Sequence, residues 1–182
     1  MEETAHIIKV ETSRRGTAQE KEADSYVAID LETTGLDPKH DKIIEIGAVL
    51  VIDGEIKETF STFVNPRREL DGRIRELTGI TGEMTAGAPD IGDVIGRVVE
   101  FCRDLPLLGH HIIFDYSFLK RAAVNKGLVF EKSGIDTLTL CRRFMPEEEK
   151  KNLENASRYY GIKQTDAHRA LADALTAHLL YR

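Results

Sequence analysis

The apolar positions of this chain fall into short runs with clear stop signals, and their density changes near residue 24. Residues 1–24 contain one candidate strand, Ala5–Glu11, followed by SRRGTAQEKEAD, a polar stretch without period that reads as a linker. From Tyr26 the pattern tightens. Tyr26–Asp30 is a short apolar run of the kind a buried strand shows, and Ile43–Ile52 and Glu55–Val64 flank Asp53-Gly54, a two-residue hairpin signal. Leu70–Thr78 reads as a helix stopped by Gly79. Pro89 and Asp90 open another, with Ile91, Val94, Ile95, Val98, Val99 and Cys102 spaced to bury one face. Leu107–His111 reads as a short strand. The next helix runs from about Asp115 to Lys126, and Gly127 follows it in the position that tolerates a left-handed backbone. Asp136–Phe144 and Leu153–Tyr160 read as helices, the second stopped by Gly161, and the last helix spans about His168 to Leu180. There is no internal repeat. Hairpin-joined strands followed by strands alternating with helices predict an α/β fold, a mixed sheet with helices on both faces. The chain divides into an N-terminal extension, 1–24, and a domain, 25–182.

Composition narrows this picture only a little. At 182 residues, 41% apolar and 31% charged, one domain with one sizeable core is expected. No apolar run approaches a membrane span, and MEETAHIIKV lacks the basic start and long apolar core of a signal peptide, so a cytoplasmic protein is expected. Cys102 and Cys141 sit far apart within apolar-periodic segments, which suits buried reduced thiols. The net charge of −6 argues against nucleic-acid binding by bulk electrostatics. It leaves open binding through metal ions, since a carboxylate-lined site is acidic until cations arrive.

Three short segments carry candidate chemistry. In Asp30-Leu31-Glu32 the two acids alternate along a strand, so both point to one side and can reach one hard divalent cation. Such a pair alone is a common solvated strand end. Thr33-Thr34-Gly35 adds two hydroxyls and a glycine that permits close backbone approach of a ligand. Asp115 follows Phe114 at a helix start, where the helix dipole alone would favour an acid; the strand before it also puts it at the carboxyl end of a sheet, where ligands bind in open α/β folds. His168 and Asp173 would diverge by roughly 140° on one regular helix, so a shared cleft requires His168 on the loop or first turn, with Thr165 and Asp166 as capping groups. Asp173 lies among Ala170, Leu171, Ala172, Ala174 and Leu175, and a carboxylate there needs a partner. No Cys/His spacing suggests zinc, and no glycine-rich phosphate loop is present.

Five segments stand in an order that resembles a known family: IDLETTG (29–35), ELTGIT (76–81), GHHIIFD (109–115), IDTLTL (135–140) and HRALAD (168–173). From about Ser25 to its end the chain resembles DEDD-type 3′→5′ exonucleases of the histidine subtype, in particular the proofreading exonucleases of bacterial DNA polymerase III. The resemblance implies a ribonuclease H-like fold, with a mixed five-stranded sheet and helices on both faces. It implies two Mg²⁺ or Mn²⁺ ions. Asp30, Glu32 and Asp173 would hold one; Asp30 would also reach the second, with Asp115 nearby. It makes His168 the general base. Thr33, Leu36, Thr78, Ile80 and Phe114 would contact the 3′-terminal nucleotide. The implied reaction releases nucleoside 5′-monophosphates from single-stranded or frayed DNA 3′ ends, in proofreading or repair, with a DNA polymerase as partner. Two alternatives remain open: an exoribonuclease like the oligoribonucleases, and a non-catalytic polymerase-binding module. The complete acidic and histidine set speaks against the second. One departure stands out. The family usually has Asn where this chain has His111, a bulkier and titratable donor, which bears on the geometry near Asp115 and on the pH optimum.

Overall fold

Strict alternation along two long strands decides which layer each side chain joins. In β1 (Tyr26–Thr33), Val27, Ile29 and Leu31 join one core layer and Tyr26 and Ala28 the other; in β2 (Ile43–Ile52), Ile46, Ala48 and Leu50 oppose Val49 and Val51. The computed structural model describes residues 23–164 and 167–182. The expected strand Ala5–Glu11, most of the linker-like stretch and the proposed caps Thr165 and Asp166 lie outside the described residues.

The remaining elements are β3 (Glu55–Phe63), α1 (Gly72–Thr78), α2 (Gly82–Ala86), α3 (Ile91–Cys102), β4 (Leu107–Gly109), α4 (Ile112–Asn125), β5 (Gly134–Asp136), α5 (Thr137–Phe144), α6 (Leu153–Tyr159) and α7 (Ala170–Tyr181). They form a five-stranded sheet in the order β3-β2-β1-β4-β5. β1, β2 and β3 pair antiparallel, whereas β4 and β5 join β1 in parallel. α3 and α4 cover one face through Val94, Ile95, Val98, Phe118 and Leu119; α7 covers the other through Ala174, Ala177 and Tyr181. This is the mixed, two-sided α/β architecture that the sequence pattern predicts. Among the described residues no helix is long and apolar enough to cross a membrane. Both cysteines are buried and unpaired, and burial raises their thiols to about 12 (Cys102) and about 11 (Cys141), which keeps them protonated.

The differences from the expected elements are local. β5 is absent from the sequence reading, which starts a helix at Asp136; three residues are too short to show a period, and Asp136 is the N-cap of α5, accepting from Leu138 N at 3.2 Å. The short helix α2 is missed for the same reason. The expected strand through His111 stops at Gly109, and α4 begins at Ile112 rather than Asp115, because His111 takes a left-handed conformation (φ 73°) that ends one element and opens the next. Next to the expected boundary after Asp24, the first described residues pack on the domain. Ala23 is buried, its N–H donates to Tyr181 Oη (2.9 Å), and the Asp24 carbonyl accepts from Gly54 N (2.7 Å).

α7 sits unusually close to the sheet. A Cβ built on Gly47 would collide with the backbone of Ala170 and Leu171. Gly47 is the register partner of Asp30, so this approach seats the start of α7 beside the end of β1. At the far end of α7, the Tyr26 hydroxyl meets His178 Nδ1 at 2.9 Å, and the Tyr26 ring meets Tyr181 edge-on at 5.2 Å between centroids. We expect Gly47→Ala to destabilise the protein by about 3 kcal/mol or to prevent folding, because backbone cannot yield as a side chain can. Urea unfolding measures this; an unchanged midpoint would mean that the seat is looser than the geometry indicates.

Candidate active site

Asp30 and Glu32 continue the face of β1 that carries Tyr26 and Ala28, so they point toward the start of α7. Glu45 on β2 is the register partner of Glu32 and shares that face. Asp115 comes from the first turn of α4 on the parallel side of β1. β4 pairs with β1 only at Val27 and Ala28, and further along Asp115 Oδ1 accepts the Leu31 N–H at 3.0 Å, in place of a strand partner. Asp173 lies in the first turn of α7, while His168 lies two residues before that helix with φ 63°. This is the loop-plus-first-turn arrangement that their spacing demands. Glu32, His168 and Asp173 each offer a ligand atom within 4.8 Å of the other two, a cluster that could hold a metal ion.

Acids this crowded and dry resist ionisation. Burial, then the charges of Asp115, Asp173, Glu32 and Glu45, holds Asp30 well above the usual carboxylate range. Burial, with Asp173 and Glu45 adding and Arg169 opposing, raises Glu32 to about 8. Asp115 is likewise raised well above its ordinary value by burial, against the hydrogen bond from Leu31. Burial also raises Asp173, offset by Gln164 Nε2, which donates to its Oδ1 at 2.6 Å, and by His168, whose N–H donates to its Oδ2 at 3.3 Å. Divalent cations would favour the ionised forms of all four, so the donor set suits hard cations.

The expected nucleotide contacts divide. Leu36 is 84% exposed at the tip of the loop after β1, and Phe114 is half-buried beside Phe118. Thr33 is buried, and its hydroxyl donates to Gly35 O at 2.6 Å. Thr78 and Ile80 are buried. The Thr78 hydroxyl donates to Ile74 O (2.8 Å) and accepts from Ile80 N (3.1 Å), closing the end of α1, and Ile80 is fully buried with Ile44 and Leu70. In this structure both side chains are turned into the protein. Glu45, Gln164, Arg169 and Asp136 were missed. Glu45 left a signal, an acid inside the apolar run IIEIGAVLVI, which demands a buried partner. Asp136 holds the backbone of His111, accepting its N–H at 2.7 Å.

The raised acids make stability depend on pH. The cation-free native state binds protons more tightly than the unfolded chain, so protonation stabilises it fully below the ordinary carboxylate range, near 4.5 for Glu32. That contribution is lost as pH rises through the folded value of about 8. We expect the Tm of the cation-free protein to fall by several degrees from about pH 5 to about pH 8, and a divalent cation to restore it at the higher pH with little effect at the lower. Calorimetric melts across that range are the check; a Tm that climbs with pH would contradict the raised values.

Residues 27–181 match the RNase_T family model, described as an exonuclease. The PolC-type DNA polymerase III of Clostridium perfringens is 41% identical over 158 residues, 86% of this chain. The chain spans only 11% of the length of that polymerase. Escherichia coli exonuclease I, solved in complex with a dT13 oligonucleotide, has the same fold: TM-score 0.75 at 18% identity, over 87% of this chain and 40% of that one. Exonuclease X in complex with 5′-overhanging duplex DNA aligns with TM-score 0.64 and 28% identity, over 85% of this chain and 88% of that one. Divalent-metal dependence is general in this family. The order of the five segments, the sheet they build and the match over nearly the whole described domain lead to one conclusion: this chain belongs to the RNase_T exonuclease family.

Proposed function

We propose that this chain is a 3′→5′ exonuclease acting on DNA ends, using two Mg²⁺ or Mn²⁺ ions. The observation that carries the reading is the cluster of Glu32, His168 and Asp173, within 4.8 Å of one another beside Asp30. Asp30, Glu32 and Asp173 would hold the cations, with Asp115 nearby. When bound, such ions supply positive charge against the developing phosphorane and acidify the attacking water. His168 takes the proton from that water; it stands on the solvent side of the acids and is exposed. Attack at the terminal phosphorus breaks the bond to the 3′ oxygen and releases a nucleoside 5′-monophosphate. Leu36 and Phe114 pack against the terminal base, which tolerates any sequence. DNA is favoured over RNA because the relatives are DNA polymerases and both structural neighbours were solved with DNA. Proofreading within or beside a polymerase, in the cytoplasm, is part of the same reading.

Asp30→Ala should abolish nearly all hydrolysis of 3′-labelled oligonucleotides while the protein stays folded, since removing one acid relieves repulsion. Near-normal turnover in that variant would end the two-ion reading. His168→Ala should slow turnover by about 10²–10⁴ with Mn²⁺ affinity little changed; a collapse of that affinity in titration calorimetry would make His168 a ligand instead of a base.

Frayed ends should be preferred. Single-stranded and mismatched DNA 3′ ends should react faster than matched duplex ends, by no more than an unpairing cost of a few kcal/mol. With a net charge of −6 and few phosphate contacts, the salt dependence should be shallow. Initial rates on these substrates and on RNA, across a salt series, decide it: equal rates on all DNA ends, or faster RNA hydrolysis, would count against a fraying-limited DNA exonuclease.

A further inference from the structure

A row of side chains crosses three strands beside the acidic cluster. Glu32, Glu45 and Phe63 are register partners in turn, on β1, β2 and β3. The segment entering α7 lies along this row. His168 clusters with Glu32 and Asp173, and the next residue, Arg169, engages the other two members of the row. Its Nη2 donates to Glu45 Oε1 at 2.8 Å, its Nε lies 3.2 Å from both Glu45 oxygens, and its Cζ stands 5.3 Å from the centre of the Phe63 ring. Glu45 Oε2 also accepts the Ala170 N–H at 3.1 Å, closing an otherwise open donor at the start of α7. Glu45 is only 2% exposed, so its charge is out of water and held by these donors, whereas the Arg169 side chain remains 41% exposed.

We propose that Glu45 and Arg169 are positioning residues that clamp the segment before α7 so that the His168 imidazole is held over the acids in a reactive pose. Three constraints converge on the segment from His168 to Leu171. Glu45 ties down Arg169 and Ala170, Gly47 lets α7 touch the strand, and the His168 N–H meets Asp173. His168 has φ 63°, a conformation costly for a residue with a Cβ, and it persists only where its surroundings over-determine it. A fork-shaped guanidinium on a buried carboxylate supplies that determination in two directions, which an ammonium cannot. Neither Glu45 nor Arg169 touches the reacting phosphate; they act through His168. The proposal rests on His168 as the base.

The experiment compares Glu45→Gln, Arg169→Met, Arg169→Lys and the Glu45→Gln/Arg169→Met pair with the parent and with His168→Ala, all in the full chain with Mn²⁺ on a single-stranded DNA oligonucleotide. The clamp requires kcat to fall by about 10–100-fold in Glu45→Gln and Arg169→Met, with KM within about threefold, since a misplaced base costs the chemical step rather than binding. The double variant should be little worse than either single one, and Arg169→Lys should recover part of the loss. Mn²⁺ affinity should stay within about threefold of the parent in titration calorimetry, because neither residue holds the ion. If Glu45→Gln fails to fold, Arg169→Met reads the same contact from its half-exposed side. Wild-type kcat in Arg169→Met, or a loss of Mn²⁺ affinity that tracks the loss of rate, would overturn the clamp. The control separates the two ideas: normal turnover in His168→Ala removes the base reading itself, whereas a slow His168→Ala beside a fast Arg169→Met removes only the clamp.

Discussion

Close approach of α7 to the sheet is the constraint on which the rest depends. Gly47 has no side chain, and the backbone of Ala170 and Leu171 occupies the space a Cβ would fill. A helix held further out could not bring Asp173 and the His168 loop against the end of β1. The far end of the same helix is fixed by Tyr26, His178, Tyr181 and the N–H of Ala23. Burial keeps His178 below its ordinary value, so it is neutral near pH 7 and can share a proton with the Tyr26 hydroxyl without a buried charge. One end of α7 is therefore packed for stability, and the other is packed to gather acids.

Gathering them costs stability. Asp30, Glu32, Asp115 and Asp173 are all pushed toward protonation by burial, and Glu45 adds a further negative charge to three of them. Glu45 is tolerated because Arg169 and the Ala170 N–H meet it; Asp115 is eased by Leu31 N and Asp173 by Gln164. Asp30 has Asp115, Asp173, Glu32 and Glu45 all acting on it in one direction. It stands at the centre of the repulsion, so a bound cation would gain most there. A fold optimised only for its own stability would not assemble these groups.

Much of this was legible in the sequence because it follows from period. Alternation placed Asp30 and Glu32 on one side of β1, Asp53-Gly54 gave the hairpin, and the five-residue step from His168 to Asp173 forced the histidine off the helix. What was not legible depends on tertiary contact. β5 is three residues long and carries no period; its identity comes from pairing with β4. Ile80 and Thr78 have the composition of surface contacts and the burial of a core, because the turn after α1 folds them inward. Arg169 reads as an ordinary exposed cation until β2 places Glu45 beneath it. The attachments of Ala23 and Asp24 to Tyr181, Gly54 and Arg182 have no sequence signature either, since two of the three run through backbone atoms.

His111 shows how a departure from a family pattern can be conservative in a way that side-chain chemistry hides. The position has φ 73° at the N-terminus of α4, and its side chain makes no cap to that helix. What it must do is adopt a left-handed backbone while Asp136 receives its N–H. Asparagine does this readily, and histidine is among the few other residues enriched there. A β-branched residue would resist, and the turn that carries Phe114 and Asp115 into place would shift with it. The requirement at this position is therefore on the backbone. Histidine meets it while remaining exposed, so Asp115, four residues on, keeps its geometry whichever of the two residues is present.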